Sequence, residues 1–275
     1  MLPAVPLLMV LVAFTETQGG LERAPYLDAI ISNRQAYADR HGYQLLIKNA
    51  AKYSPIAPVN PSAVEHDSWI KLYALREVLQ EHPEADWIWY LDPEALIMDQ
   101  SLSLVNDILK PSVLSNLILR DVPVVPGENI IKTLKTPDME SIDFILSQDQ
   151  QGFNAHSFLL RRGDYAKYLL ESWYDPLFRA YDKFENHATS ALEHMLEWHY
   201  TTLYKAALVP KRLLCSYINA AGDMGYKEGD FVLFFEGCNG PARSCEHEID
   251  RWYRQTAEGK SGTTAAVPAT GDVPH

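Results

Sequence analysis

Apolar and polar positions along the chain fall into two alternating patterns, short continuous apolar runs and stretches with helical spacing. Residues 6–14 are almost wholly apolar and predict a first buried strand, because the run is well short of the ~20 residues that span a bilayer. A signal peptide's hydrophobic region is the alternative, but no Lys or Arg precedes the run, the first basic residue is Arg23, and no small-x-small cleavage site stands directly after it. A polar, glycine-ended loop over 15–20 leads into a helix in which Leu27, Ile30, Ile31, Arg34, Tyr37 and Ala38 recur at helical spacing, with Gly42 placed to end it. Residues 43–47 predict a second strand, which completes a βαβ beginning. Prolines 55, 58 and 61 mark a loop over 51–66, and a helix over 67–80 stops before His82-Pro83. Trp87, Ile88, Trp89, Tyr90 and Leu91 then form a run with no polar face, as in a strand covered on both sides of a parallel sheet.

The same alternation continues with a short helix over 101–109, a Val- and Pro-rich stretch without clear periodicity to 137, a helix over 139–146 and a polar segment over 147–152. A strand over 153–161, a helix over 164–174 closed by Asp175-Pro176, a long amphipathic helix over 184–200 and strands over 206–209 and 231–235 follow. Residues 258–275 are Gly, Thr, Ala and Pro in the main and predict a disordered tail. There is no internal repeat. Strands alternating with helices make an α/β fold, and residues 1–257 read as a single domain with a mostly parallel central sheet.

Composition narrows this modestly. With 275 residues, 47% apolar, the chain has an ordinary globular make-up. A formal charge of -12 argues against nucleic acid as a partner, since phosphates need a Lys/Arg-rich surface. Cys215, Cys238 and Cys245 are too few for a disulfide framework or a four-ligand zinc site, and a Cys238–Cys245 bridge is open in an oxidising compartment.

Candidate chemistry begins where the apolar strand stops. Pro93 ends the ladder, and Asp92 and Glu94 flank it. Open α/β sheets bind ligands beyond the carboxyl ends of their strands, and two carboxylates there suit a hard divalent cation whose other positions take phosphate oxygens. A turn with a capping Asp and a solvated Glu is the competing reading of that pair alone.

Several ordered motifs point further: Asn33-Arg34-x-x-Tyr37-Ala38-x-x-His41-Gly42-Tyr43, Trp69-x-Lys71, Trp87-Ile-Trp-Tyr-Leu-Asp92, Ala95-Leu-Ile-Met98 and Ser147-Gln-Asp149. Gly152-Phe-Asn154-Ala-x-Ser157-Phe-Leu-x-Arg161, Trp173-x-Asp175-Pro176, Val209-Pro210, Gly229-Asp230 and Gly237-Cys238 follow in order. Over residues 5–240 the chain resembles glycosyltransferase family 34, the fungal Golgi α-mannosyl- and α-galactosyltransferases with the plant xyloglucan xylosyltransferases. The resemblance implies a GT-A fold, Rossmann-like and nucleotide-sugar-binding, and transfer with retention of configuration. It implies a UDP- or GDP-hexose donor, a glycan or glycoprotein acceptor, homologous glycosyltransferase subunits as further partners and a Mn2+-type ion. Asp92 would hold the metal, with Glu94 where the family has its second Asp. Lys71 and Gly237 would serve the donor nucleotide, Gly152 would permit close backbone approach, and Gln148, Asp149 and Asn154 would lie at the transferring sugar. A Golgi lumenal or membrane-associated location is implied as well, although no anchoring span is readable in these residues.

Departures from the family pattern gather at the chemistry. Phe234 stands where the family has the His that completes the metal site, and alternate strand residues face opposite sides, so Glu236 is a poor replacement. Ala188-Thr189-Ser190 replaces an acidic residue followed by Gln, with Glu185 a turn earlier, and Cys215 replaces an Asn. These changes keep a second function open, a non-catalytic subunit of a glycosyltransferase complex. His187, His194 and His199 lack the i, i+4 spacing of a zinc pair, and Trp69, Trp87, Trp89 and Trp173 read as core.

Overall fold

The computed structural model describes residues 5–15, 23–53, 67–127, 130–149, 152–184, 186–218 and 225–256. Most of the polar loop over 15–20, the proline loop, Glu185 and the tail from 258 lie outside the described residues. In chain order the elements are β1 (Val5–Ala13), α1 (Leu27–His41), β2 (Gln44–Asn49), α2 (Asp67–Glu81), β3 (Ala85–Leu91), β4 (Ala95–Ile97), α3 (Pro111–Leu117), β5 (Phe144–Asp149) and β6 (Gly152–Arg161). They continue with α4 (Asp164–Trp173), α5 (Pro176–Ala180), α6 (Ala188–Trp198), α7 (Tyr200–Lys205), β7 (Ala206–Pro210), β8 (Ser216–Tyr217), β9 (Val232–Phe234) and α8 (Cys245–Tyr253).

Strand order in the main sheet is β2-β1-β3-β6-β5-β7. Only β6 runs against the others, pairing antiparallel with both β3 and β5, while β1 is parallel to β2 and β3 and β5 is parallel to β7. Side chains alternate between two cores. Leu8, Val10, Ile88, Tyr90, Phe144, Phe158 and Leu160 pack with Trp69, Trp173 and Leu192 on one face. Leu7, Met9, Trp87, Trp89, Ile145 and Leu159 pack with Tyr37 and Leu114 on the other. Coverage of both faces explains why these strands read as unbroken apolar runs. The first strand is central in this sheet, so the strand reading of residues 6–14 holds.

The predicted helix over 139–146 is corrected. Only Met139–Ser141 makes a helical turn, and Phe144, Ile145 and Leu146 are fully buried in β5. A short run apolar at every position has no period to tell strand from helix. The long helix predicted over 184–200 is also shorter: His187 precedes α6 with φ 44°, and His199 is extended at φ -108°, ψ 96° before α7 begins. A second small sheet, β4-β9-β8, stands beside the end of β3, and the Cys238–Cys245 disulfide forms between β9 and α8.

Candidate active site

β1, β3, β5 and β7 all end at the edge where β6 begins, and a cleft of about 600 Å³ opens there. That volume is within the roughly 300–1,000 Å³ of small-molecule sites. Asp92, Pro93 and Glu94 line it from the β3 exit, Lys71 from α2, His156 from β6, Lys211 from the turn after β7, Phe234 from β9, and Thr189 and Glu193 from α6.

The carboxylate turn is held from beneath. Pro93 supplies no N–H to a neighbouring strand, and buried Arg34 takes up the carbonyls the turn would otherwise leave unpaired, donating to Leu91 (2.8 Å), to Asp92 and to Ala95 (3.3 Å). Asn33 secures the following strand at two points, donating to the Ile97 carbonyl at 3.0 Å and accepting from its N–H at 2.8 Å. Asp92 N–H donates to the His156 carbonyl at 2.8 Å, which ties the turn to β6. The Asp92 carboxylate accepts from the Tyr90 hydroxyl and meets His156 Nδ1, while Glu94 Oε1 accepts from the Tyr26 hydroxyl at 2.9 Å.

The two carboxylates differ electrostatically. Burial works to raise the Asp92 pKa, but the nearby charges of Lys71 and His156 and the hydrogen bonds from His156 and Tyr90 prevail and hold it at about 2. Glu94 is pushed up, first by burial and then by the Asp92 charge. Two carboxylates in one cleft that repel each other are a donor set suited to a hard divalent cation. Among the described residues, no three His, Cys, Asp or Glu side chains converge as ligands, so the fit is that of a carboxylate pair.

Lys71 is 3% exposed and therefore not the solvated helix lysine that its sequence position alone suggests. Its Nζ donates to the Ala155 carbonyl at 2.7 Å and lies 5.2 Å from the Tyr90 ring centre. Burial lowers its pKa against the pull of Asp92 and Glu94. Lys211, 4% exposed, bonds the Tyr217 hydroxyl with its Nζ. Both lysines hold their Nζ in place by hydrogen bonds in the wall of a cleft that also carries Asp92 and Glu94.

Other residues named by sequence are placed unevenly. Gly237 lines the cleft at φ 66°. Gly152 lies beside it at φ 121°, where a Cβ would stand 3.2 Å from Glu193 Oε1. Gln148 is buried and spends its amide on the Pro123 (3.1 Å) and Val124 carbonyls, away from the cleft walls. Asn154 is also buried, donating to Cys215 Sγ at 3.1 Å and accepting from His156 N–H at 2.8 Å, so it supports the wall from behind. Asp149 ends β5 opposite Gly152. Arg161 lies over Trp87, 4.9 Å from the ring centre, and donates to the Glu140 carbonyl at 2.8 Å, a structural position. Burial raises the Cys215 thiol, which leaves it no nucleophile.

His156, Glu193, Lys211 and Tyr26 were not singled out by sequence. His156 occupied the unspecified position between Asn154 and Ser157, and Glu193 was one helical turn beyond Thr189, signals that acquire meaning only once β6 and α6 are known to face each other. Position 188, acidic in the resembling family, is fully buried here, and the Ala188 carbonyl accepts from Trp173 Nε1 at 2.6 Å. Half-buried Glu193, on the same helix, lines the cleft and accepts from Phe153 N–H, and burial raises its pKa.

Two solved glycosyltransferases share this architecture. One involved in glycosylation of the major capsid of PBCV-1 matches with TM-score 0.54 at 9% identity, covering 91% of this chain and 100% of its own. The galactosyltransferase LgtC, solved with donor and acceptor sugar analogs, matches with TM-score 0.51 at 12% identity over 95% and 98% of the two chains. Both establish the GT-A fold. Sequence relatives are nearer. An uncharacterized alpha-1,2-galactosyltransferase of Schizosaccharomyces pombe is 38% identical over 84% of this chain and 68% of its own length. A probable alpha-1,6-mannosyltransferase of Saccharomyces cerevisiae, MNN11, is 31% identical over 82% of this chain and 57% of its own. An alpha-1,2-galactosyltransferase of S. pombe is 30% identical over 87% and 63%, so the chain spans roughly three-fifths of the length of the latter two. The model of the galactosyl transferase GMA12/MNN10 family matches residues 4–246, the stretch that builds both sheets and every wall of the cleft, and the chain belongs to that family.

Proposed function

We propose that this protein transfers a hexose, galactose or mannose, from a nucleotide-sugar to a hydroxyl of a glycan acceptor, with retention of configuration. The observation that carries the reading is the paired Asp92 and Glu94 facing buried Lys71 and Lys211 across one cleft at the strand ends. A manganese-type ion bound at the carboxylates would offset diphosphate charge and stabilise the leaving group. Lys71 and Lys211, fixed by their hydrogen bonds, provide positive charge without reorganisation as the anomeric carbon parts from the diphosphate oxygen. Glu193 accepts hydrogen bonds from sugar hydroxyls, beside the close backbone approach at Gly152. The acceptor oxygen bonds the anomeric carbon on the face the diphosphate leaves, and its proton passes to the departing phosphate oxygen, so no protein nucleophile is needed. The Cys238–Cys245 disulfide accords with an oxidising, Golgi-type lumen. Among the described residues, no helix is long and apolar enough to cross a membrane.

The test is calorimetry with UDP and GDP, with and without Mn2+, on wild type and Asp92→Ala, followed by turnover of the matching nucleotide-hexose. Manganese-dependent binding lost in the variant supports the reading, and the nucleotide bound narrows the sugar. Binding without transfer to any glycan acceptor would turn the assignment to the non-catalytic subunit.

A further inference from the structure

We propose that His156 and Asp92 together form the ligand core of the divalent-cation site, with Glu94 acting on the ion by charge through water. The inference rests on the metal-assisted reading above and adds a residue to it. Asp92 leaves β3 and His156 lies in β6, and the hydrogen bond from Asp92 N–H to the His156 carbonyl (2.8 Å) sets their side chains on the same cleft. There His156 Nδ1 meets Asp92 Oδ2.

Two features suit the imidazole to ligation. Its ring is stacked on Phe234, with centroids 4.5 Å apart and planes 25° apart, and Phe234 is packed in turn against Tyr217 at 6.1 Å. A ring held flat between strands is pre-organised, and pre-organisation is what a metal ligand requires of its support. Nδ1 is also the nitrogen turned to the carboxylate, and an imidazole nitrogen beside a carboxylate oxygen is a nitrogen–oxygen donor pair for a metal ion. Phe234 has no donor atom, so its part is to hold the ring.

Glu94 is placed differently. Its Oε1 bonds Tyr26 at 2.9 Å, whereas the Asp92 and His156 side chains already meet in the cleft. The remaining positions fall to water and to diphosphate oxygens. The rival role for His156 is a cation that competes with the metal for Asp92. The two roles give opposite signs on removal of the ring, since a lost ligand weakens metal binding and a lost competitor strengthens it.

The experiment is Mn2+ titration, read by electron paramagnetic resonance of the free ion, on wild type, His156→Ala, Glu94→Gln and His156→Ala combined with Phe234→His. The expected result is an affinity lowered at least about tenfold in His156→Ala, a smaller loss in Glu94→Gln, and recovery in the double variant, whose new imidazole starts from the ring already stacked at this place. Melting temperatures confirm folding, and His156→Gln replaces the alanine variant if that one melts early. Unchanged or tighter binding in His156→Ala, or a larger loss in Glu94→Gln, overturns the assignment. A wild type that binds UDP or GDP but no Mn2+ overturns both this inference and the metal part of the proposed function. Mn2+ binding that ignores His156 overturns this inference alone.

Discussion

The two walls of the cleft are built to different standards. On the β3 side nearly every polar group is tied: Arg34 and Asn33 hold the carbonyls and amide of the turn, Tyr90 and His156 hold Asp92, and Tyr26 holds Glu94. On the α6 side, Thr189 and Glu193 project from a helix that begins after the strained His187 and ends at His199. At its last residue and just past its end, Trp198 and Tyr200 are 71% and 68% exposed. Under the proposed function, the wall that would meet the diphosphate is pre-built, as electrostatic catalysis demands, whereas the wall that would meet the sugar projects from a single helix. Of the departures from the family pattern, Thr189 lies on the second wall, Ala188 is buried behind it, and Glu94 and Phe234 line the cleft on the side of the first.

The strongest way to break this contrast is Arg34→Ala. Three carbonyls lose their donor inside the protein, at about 1–3 kcal/mol for each group left unsatisfied, so about 4 kcal/mol of stability is expected to go once partial relaxation is allowed for. Urea unfolding measures it, and nucleotide binding is expected to fall with it. A near-neutral result would mean that the carboxylate turn holds itself. Asp92→Asn, next in size, keeps the shape and removes the charge, and kcat/KM for the donor is expected to drop about 100-fold. A drop no greater than that of a surface substitution would make the tied wall structural rather than catalytic.

Reduction of Cys238–Cys245 probes the loop carrying Gly237, between the small sheet and α8. Closing so short a loop is worth about 2.5 kcal/mol in the chain-entropy account, and thermal melting with and without reductant reads it. Glu193→Gln then tests the second wall. A tenfold fall in kcat, about 1.4 kcal/mol, is expected with nucleotide affinity unchanged, because the proposed function gives the carboxylate to the sugar hydroxyls. Loss of nucleotide affinity instead would move Glu193 to the diphosphate and erase the division between the walls.

The first wall was legible in the sequence and the second was not. Trp87 to Leu91 announced a strand buried on both faces, and Pro93 between two acids announced its exit, so the strand-end position of Asp92 and Glu94 followed from local pattern, while their reading as a metal pair rather than a capping turn needed the ordered motifs. Lys71 needed the fold, because only the approach of β6 to α2 converts a helix lysine into a buried cleft residue. Gln148 shows the reverse: the family resemblance put it at the sugar, yet its amide satisfies the carbonyls of Pro123 and Val124. Residues 139–146 misled because complete burial erases period. His156 and Glu193 face the cleft from elements far apart in sequence, and nothing in one strand or one helix signals a partner across a gap.

The smallest effect supplies the control, a site tied as densely as the first wall but outside the cleft. Glu77 on α2 accepts from Lys48 (2.8 Å), Lys52 and the Tyr53 hydroxyl (2.9 Å). Burial works to raise its pKa, but those hydrogen bonds outweigh it and hold the carboxyl at about 2, against an ordinary 4.5. A folded value below the unfolded one means that the contribution is fully present above pH 4.5 and disappears as pH falls toward 2. Lys52 is 59% exposed, so solvent screening reduces the contribution to about 1 kcal/mol at neutral pH. Glu77→Gln is therefore expected to cost that amount at pH 7 and progressively less in acid, with nucleotide binding untouched, by chemical denaturation across the range. A difference that stays constant with pH would assign Glu77 to packing rather than charge, and a loss of nucleotide binding would show that bracing on α2 reaches the cleft through Lys71.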